Sequence, residues 1–182
     1  MYGFDNNTKS ESTSLSFNAG IIEDVELESV AFTSPKKDGS GDPVLMFNFK
    51  GSNGETFRHI EWAVDMTRED AAKKLESMGK RVKHIVTKFI PEDKATLSGN
   101  SYAEFGNGVV NLVGSKNKGI KLRIKLVYKD NGNLAFTPYT GFIERMDANP
   151  TTKLRIGKDE KVVKPNPQPT NMAITTPSEA DF

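Results

Sequence analysis

Val44-Leu45-Met46-Phe47-Asn48-Phe49-Lys50, then Gly51-Ser52-Asn53-Gly54, then Glu55-Thr56-Phe57-Arg58-His59-Ile60-Glu61-Trp62-Ala63-Val64: this stretch decides the fold. In its first segment Leu45, Phe47 and Phe49 alternate, which places them on one face of a strand. The Gly-Ser-Asn-Gly segment is a hairpin loop, because its Asn53-Gly54 step tolerates the positive φ that a tight turn demands. The third segment is the returning strand. Phe57, His59 and Glu61 share one of its faces, and Arg58, Ile60 and Trp62 share the other. Upstream, Pro35-Lys36-Lys37-Asp38-Gly39-Ser40-Gly41-Asp42-Pro43 is dense in residues that break regular structure. Before it, Ile21, Val25, Leu27 and Val30-Ala31-Phe32, with acids between them, read as a further strand. Residues 21–64 are therefore expected to form a three-stranded meander. Residues 1–18, rich in Asn, Ser and Thr, read as a flexible arm from which Leu15 and Phe17 are placed to dock.

Downstream the period changes. Asp65 to Asp70 starts a helix with Thr67 as N-cap, and Glu69 and Asp70 complement the dipole of its first turn. Ala71, Leu75 and Met78 lie on one side, and Val82, Ile85, Val86 and Phe89 continue at helical spacing. Gly79 is a candidate break, and Pro91 ends the run. Leu97 to Val113 is expected to be a second helix, with Tyr102, Phe105, Val109 and Leu112 on it. Ile120 to Tyr128 is the clearest strand: Leu122, Ile124, Leu126 and Tyr128 face one way, and Lys121, Arg123, Lys125 and Val127 the other. Asp130-Asn131-Gly132-Asn133 turns the chain, and Leu134 to Thr137 returns. Phe142 and Ile143 end the packed region, with Leu154-Arg155-Ile156 and Val162-Val163 as candidates for an added edge strand. Beyond Lys164 the prolines 165, 167, 169 and 177 stand among Asn, Gln and Thr, a composition unable to bury a core. Three regions follow: an arm over 1–18, a domain over 19–164 and a disordered tail over 165–182. Three antiparallel strands, a helical insertion and a hairpin predict a mainly β domain. Its expected form is an OB-fold-like five-stranded Greek-key barrel, with the helix between strands three and four.

Composition narrows the chemistry. The chain has no cysteine, so disulfides, thiolate catalysis and cysteine-bearing zinc sites are excluded. No run of about 18 apolar residues is present. The first residues lack the basic start and apolar stretch of a signal peptide, which points to the cytoplasm. Residues 1–65 hold 11 acids and 5 bases, whereas residues 66–165 hold 20 bases and 11 acids. Such sorting yields either a mixed surface or a positive face, whose usual partners are polyanions. His59 and His84 are far apart, without carboxylates at metal-ligand spacing. No nucleophile elbow, Walker loop or Rossmann glycine pattern occurs. The sequence therefore points to a protein that is not an enzyme and needs no cofactor.

The strand Lys121-Leu122-Arg123-Ile124-Lys125 would set three cations on one face about 6.5 to 7 Å apart, near the phosphate spacing of an extended single strand. A cationic row also protects an edge strand from unwanted pairing, and the pattern alone does not choose. Aromatic platforms favour binding, because bases stack on them while cations track the backbone. Arg58 beside Trp62, the single tryptophan, is a candidate stacking and phosphate pair, and Phe136 and Tyr139 after the second hairpin are further candidate platforms, with a place in the core as the alternative. Lys50, with the loop lysines Lys36 and Lys37, adds charge. In the tail, Glu179, Asp181 and the terminal Phe182 combine an apolar ring with carboxylates, which suits a small pocket rimmed by a base.

These stretches resemble the single-stranded DNA-binding proteins that bacteriophages encode for replication and recombination. The resemblance rests on Phe47-Asn48-Phe49-Lys50-Gly51 with Phe57-Arg58-His59-Ile60-Glu61-Trp62, on Lys83-His84-Ile85-Val86-Thr87-Lys88-Phe89, on Lys121 to Tyr128, and on the Asp181-Phe182 end. It implies an OB-fold, binding of single strands without sequence preference, and a C-terminal tail that recruits replication proteins. The weakly acidic tail and long helical insertion depart from that pattern. An oligomer is compatible with it. Two rivals stand beside this reading: a virion structural or adaptor protein, and a metal-dependent nuclease using Asp24, Glu26 or Glu61.

Overall fold

Alternating apolar residues and two Asn/Gly turns produce an antiparallel sheet, and the computed structural model describes it over residues 15–137 and 141–165. The chain runs β1 (Gly20–Thr33), β2 (Val44–Lys50), β3 (Thr56–Glu61), α1 (Ala71–Val86), a 3-10 turn (Glu92–Lys94), α2 (Tyr102–Val113), β4 (Leu122–Tyr128), β5 (Leu134–Phe136) and β6 (Ile143–Arg145). The strands lie in the order β3-β2-β1-β4-β5, and β6 pairs with β4. The expected meander is present, with Phe49 opposite Phe57 and Phe47 opposite His59. Among the described residues six strands make the sheet, where five were expected, and it is not closed. Its two end strands approach without a ladder between them: the rings of Phe57 and His59 of β3 lie 5.1 and 5.0 Å, centroid to centroid, from that of Phe136 of β5.

β1 serves two partners. Gly20 to Val25 pairs with β4, and Glu26 to Thr33 pairs with β2. The strand bends where one partner gives way to the other. There Asp24 takes a positive φ of 56°, an uncommon conformation for a residue with a Cβ, and the register against β4 shifts. The inner face of the curled sheet and the two helices enclose one core that includes Phe47, Phe49, Leu126 and Phe142, with Val82 and Ile85 from α1 and Val109 from α2. Phe17 of the arm docks into this core as expected, in a space that only a glycine leaves: a Cβ on Gly51 would lie 2.7 Å from its ring. Leu15 stays exposed, although its carbonyl accepts from Thr56 N–H.

The helices differ from expectation at their starts. Asp65 Oδ1 accepts both the N–H and the hydroxyl of Thr67, so a tight turn occupies 65–67 and α1 begins later, at Ala71. Gly79 does not break α1, and Leu75 is exposed. Ser101 caps α2 by accepting from Glu104 N–H at 3.1 Å, while Glu104 reaches back to Asn100 N–H. Gly106 lets α2 sit against β1, since a Cβ there would come within 2.2 Å of the Phe32 ring. No helix among the described residues is long and apolar enough to cross a membrane.

β4 departs furthest from its reading, because both its faces are buried. The stretch after β6 crosses its outer face without forming the edge strand considered at 154–156 or 162–163. Leu154 is buried there, and Lys161 O accepts from Tyr128 N–H.

Candidate nucleic-acid interface

The cation ladder on β4 is taken up inside the protein. Arg123 is only 6% exposed; it donates to Glu23 at 2.6 Å, to Glu144 at 3.3 Å, and to the carbonyls of Asn149 and Pro150. Lys125 is 5% exposed and donates to Glu160 and to Arg155 O, both at 2.8 Å. These two cations tie the crossing segment onto the sheet, so neither presents a charge to a phosphate. Lys121 remains at the surface in an ion pair with Glu26 at 2.8 Å. The expected three-cation face is therefore corrected to one exposed, paired lysine.

The outer face of β3 keeps its row. Arg58 and Trp62 are exposed and Ile60 is half-buried, whereas Phe57 and Glu61 are buried. Trp62 follows the last residue of β3 and retains 59% of its surface. Register sets Arg58 against Asn48 and Ile60 against Met46. Arg58 Nε donates to Asn48 Oδ1 at 2.8 Å, and Asn48 Nδ2 donates to Ser29 Oγ at 2.9 Å. This polar triplet holds the guanidinium over the sheet without neutralising it: Arg58 makes no ion pair among the described residues. At one end of the row lies Lys50, 3.6 Å from Glu28. At the other end, the pairing of Leu45 with Glu61 sets Trp62 near Val44, at the foot of the loop carrying exposed Lys36 and Lys37. From Thr56 to Trp62 the row is about 20 Å long at the usual strand rise.

A groove of about 1530 Å³ opens beside β3, between it, α1 and the β4–β5 turn. Its lining includes Arg58, Trp62, Lys73, Arg81, Lys129 and Phe136. Lys73 and Lys129 are exposed and make no ion pair among the described residues, whereas Lys161 pairs with Asp130, and Lys74 with Asp70. Lys73 and Lys129 escaped the sequence reading. Lys129 continues the odd-numbered cations of β4 just past the buried part, so its parity was a signal. Lys73 had none, because only tertiary packing turns the start of α1 toward β3.

Glu61 lies beneath this row. Its carboxylate accepts from Arg81 Nε at 2.7 Å, from Arg81 NH2 at 2.8 Å and from His59 Nε2 at 2.9 Å. Burial works to raise its pKa, but the bonds from Arg81 and His59, with their attraction, outweigh burial and hold it below the usual carboxylate range. The three acids considered for a metal do not form one cluster: Asp24 and Glu26, both of β1, lie near Lys121, and Glu61 is held by Arg81 elsewhere. Among the described residues no three histidine, aspartate or glutamate side chains gather to hold a metal ion. Tyr139, Glu179, Asp181 and Phe182 lie outside the described residues.

In comparisons with known proteins, no family model matches the chain and no curated protein gives a significant match.

Proposed function

We propose that this protein binds single-stranded DNA without sequence preference, in phage-type replication and recombination in the host cytoplasm, and that it is not an enzyme. The observation that carries the reading is the Arg58–Ile60–Trp62 row: an exposed indole just past the end of β3 and, on β3, a guanidinium without an ion pair among the described residues, beside a groove edged by Lys73 and Lys129. A base stacks on an exposed indole whatever its identity, and neighbouring cations hold the phosphates on either side. At about 6 to 7 Å per nucleotide, the 20 Å row suits roughly three nucleotides.

The topology supports the same reading. A three-stranded meander, helices before the fourth strand, and a fourth strand returning to the first half of β1 follow the grammar of an OB-fold. The ladder that would join β3 to β5 and close a barrel is absent among the described residues, and β6 on β4 is additional to the five-stranded pattern. OB-folds bind oligonucleotides on the face of strands two and three, flanked by the loops after strands one and four. Here those are the outer face of β2 and β3, the loop with Lys36 and Lys37, and the turn after Lys129. The tail with Glu179, Asp181 and Phe182 is assigned to recruiting replication proteins.

The test is fluorescence of Trp62, the single tryptophan, titrated with oligo(dT) at two salt concentrations. Saturable quenching that weakens with salt is expected. No quenching at low salt, or quenching indifferent to salt, would sink the proposal.

A further inference from the structure

Trp62 makes no aromatic or cation–π contact among the described residues and is mostly exposed. The backbone that carries it is gripped at the preceding residue from both sides. The Glu61 carbonyl, part of the peptide unit that carries Trp62 N–H, accepts from the Tyr102 hydroxyl of α2. The same hydroxyl accepts from Leu45 N–H at 3.0 Å, so it is spliced between β2 and β3 where their ladder ends. The Glu61 side chain is fixed by the two bonds from Arg81 of α1.

We infer that Tyr102 and Arg81 are positioning residues for Trp62, through which the helical insertion holds the backbone anchor of the stacking platform. Holding the peptide plane between Glu61 and Trp62 fixes the backbone N and Cα from which the indole projects, leaving motion about its own φ, χ1 and χ2. A base then meets an indole whose anchor does not move, and less backbone freedom is lost on binding. Neither residue needs to touch DNA for this. The binding part of the inference rests on the function proposed above; the part concerning the free protein does not.

Two conservative variants test it. Tyr102→Phe removes only the hydroxyl and leaves the ring edge-on to Phe32 at 5.3 Å. Arg81→Lys keeps the charge but not the paired geometry that grips both carboxylate oxygens. Time-resolved anisotropy of Trp62 in the free protein is expected to show a larger fast-depolarising fraction in both. Oligo(dT) affinity is expected to fall roughly three- to tenfold with the salt dependence unchanged. A phosphate contact by Arg81 would give the opposite pattern: Arg81→Lys would bind like the wild type, and Arg81→Gln would flatten the salt dependence. Circular dichroism melts establish that each variant is folded at the assay temperature. If Arg81→Lys is not, Tyr102→Phe decides alone. Wild-type anisotropy in a folded Tyr102→Phe would overturn the inference. If the wild-type protein fails to bind oligo(dT), the proposed function falls, while the anisotropy still decides the positioning.

Discussion

Replacing Lys73 and Lys129 together by glutamine should change the salt dependence of DNA binding by a calculable amount. Five surface cations near the β3 row carry no ion pair among the described residues: Lys36, Lys37, Arg58, Lys73 and Lys129. A cation that neutralises a single-strand phosphate contributes about 0.7 to the slope of log affinity against log salt. All five engaged would give a slope of about −3.5, or roughly a hundredfold loss of affinity between 50 and 200 mM salt. Removing two should bring the slope to about −2 and the loss to less than about twentyfold. The assay is oligo(dT) titration across that salt range, read by Trp62 fluorescence, with Arg123→Gln in parallel. Arg123 is spent on Glu23, Glu144 and two carbonyls, so its removal should leave the slope of the folded protein alone. A slope unchanged by the Lys73/Lys129 pair but flattened by Arg123→Gln would refute the placement of the binding face.

Arg123→Gln should instead cost stability, since it leaves Glu144 buried without its cation; a Tm lower by roughly 5–10 °C in a thermal melt is expected, and an unchanged Tm would count against the burial argument. Gly106→Ala drives a Cβ into the Phe32 ring, so urea denaturation should show a loss of about 1–3 kcal/mol, and no loss would mean α2 can shift freely. Burial, helped by repulsion from Lys88, pushes the His84 pKa down from 6.5 to about 4, and its Nε2 is buried without a partner among the described residues. The unfolded chain then takes up a proton below about pH 6.5 that the folded protein refuses until about pH 4. Stability should therefore fall by about 1–2 kcal/mol between pH 7 and pH 5, and His84→Phe should flatten that fall; equal pH dependence in both proteins would exclude the mechanism.

Local chemistry explains what could be read from the residues. Asn53-Gly54 and Asn131-Gly132 announce their turns because positive φ is a property of one or two residues, and the alternation of Leu45, Phe47 and Phe49 marks the core face, although Val44 and Met46 on the other face are buried as well. β4 misled because alternation also suits a strand whose polar side is covered by ion pairs. One partner of Arg123, Glu23, lies 100 residues earlier, and the other partners of Arg123 and Lys125 (Glu144, Glu160 and the carbonyls of Asn149, Pro150 and Arg155) come 20 to 35 residues later, so no window along the chain joins them. The acids after β4 were the available hint. Arg58 and Trp62 emerged because they sit four residues apart, at the same parity, along one extended stretch of sequence. Lys73 and Lys129 converge on the groove only through packing. Tyr102 was expected on a helix, and nothing local told that its hydroxyl would end a ladder between two strands.

The sharing of β1 between β2 and β4 has a consequence for how the chain is made. The second half of β1 finds its partner about twenty residues later, as soon as β2 emerges. The first half, Gly20 to Val25, waits for β4, about a hundred residues further on. At 5–20 residues per second, its edge stands unpaired for about 5 to 20 s during synthesis. Glu23 and Asp24 lie within that waiting stretch. A pair of charges there discourages a neighbouring nascent chain from adding its own strand. The acids at the bend thus guard the edge first, and only afterwards does Glu23 receive Arg123.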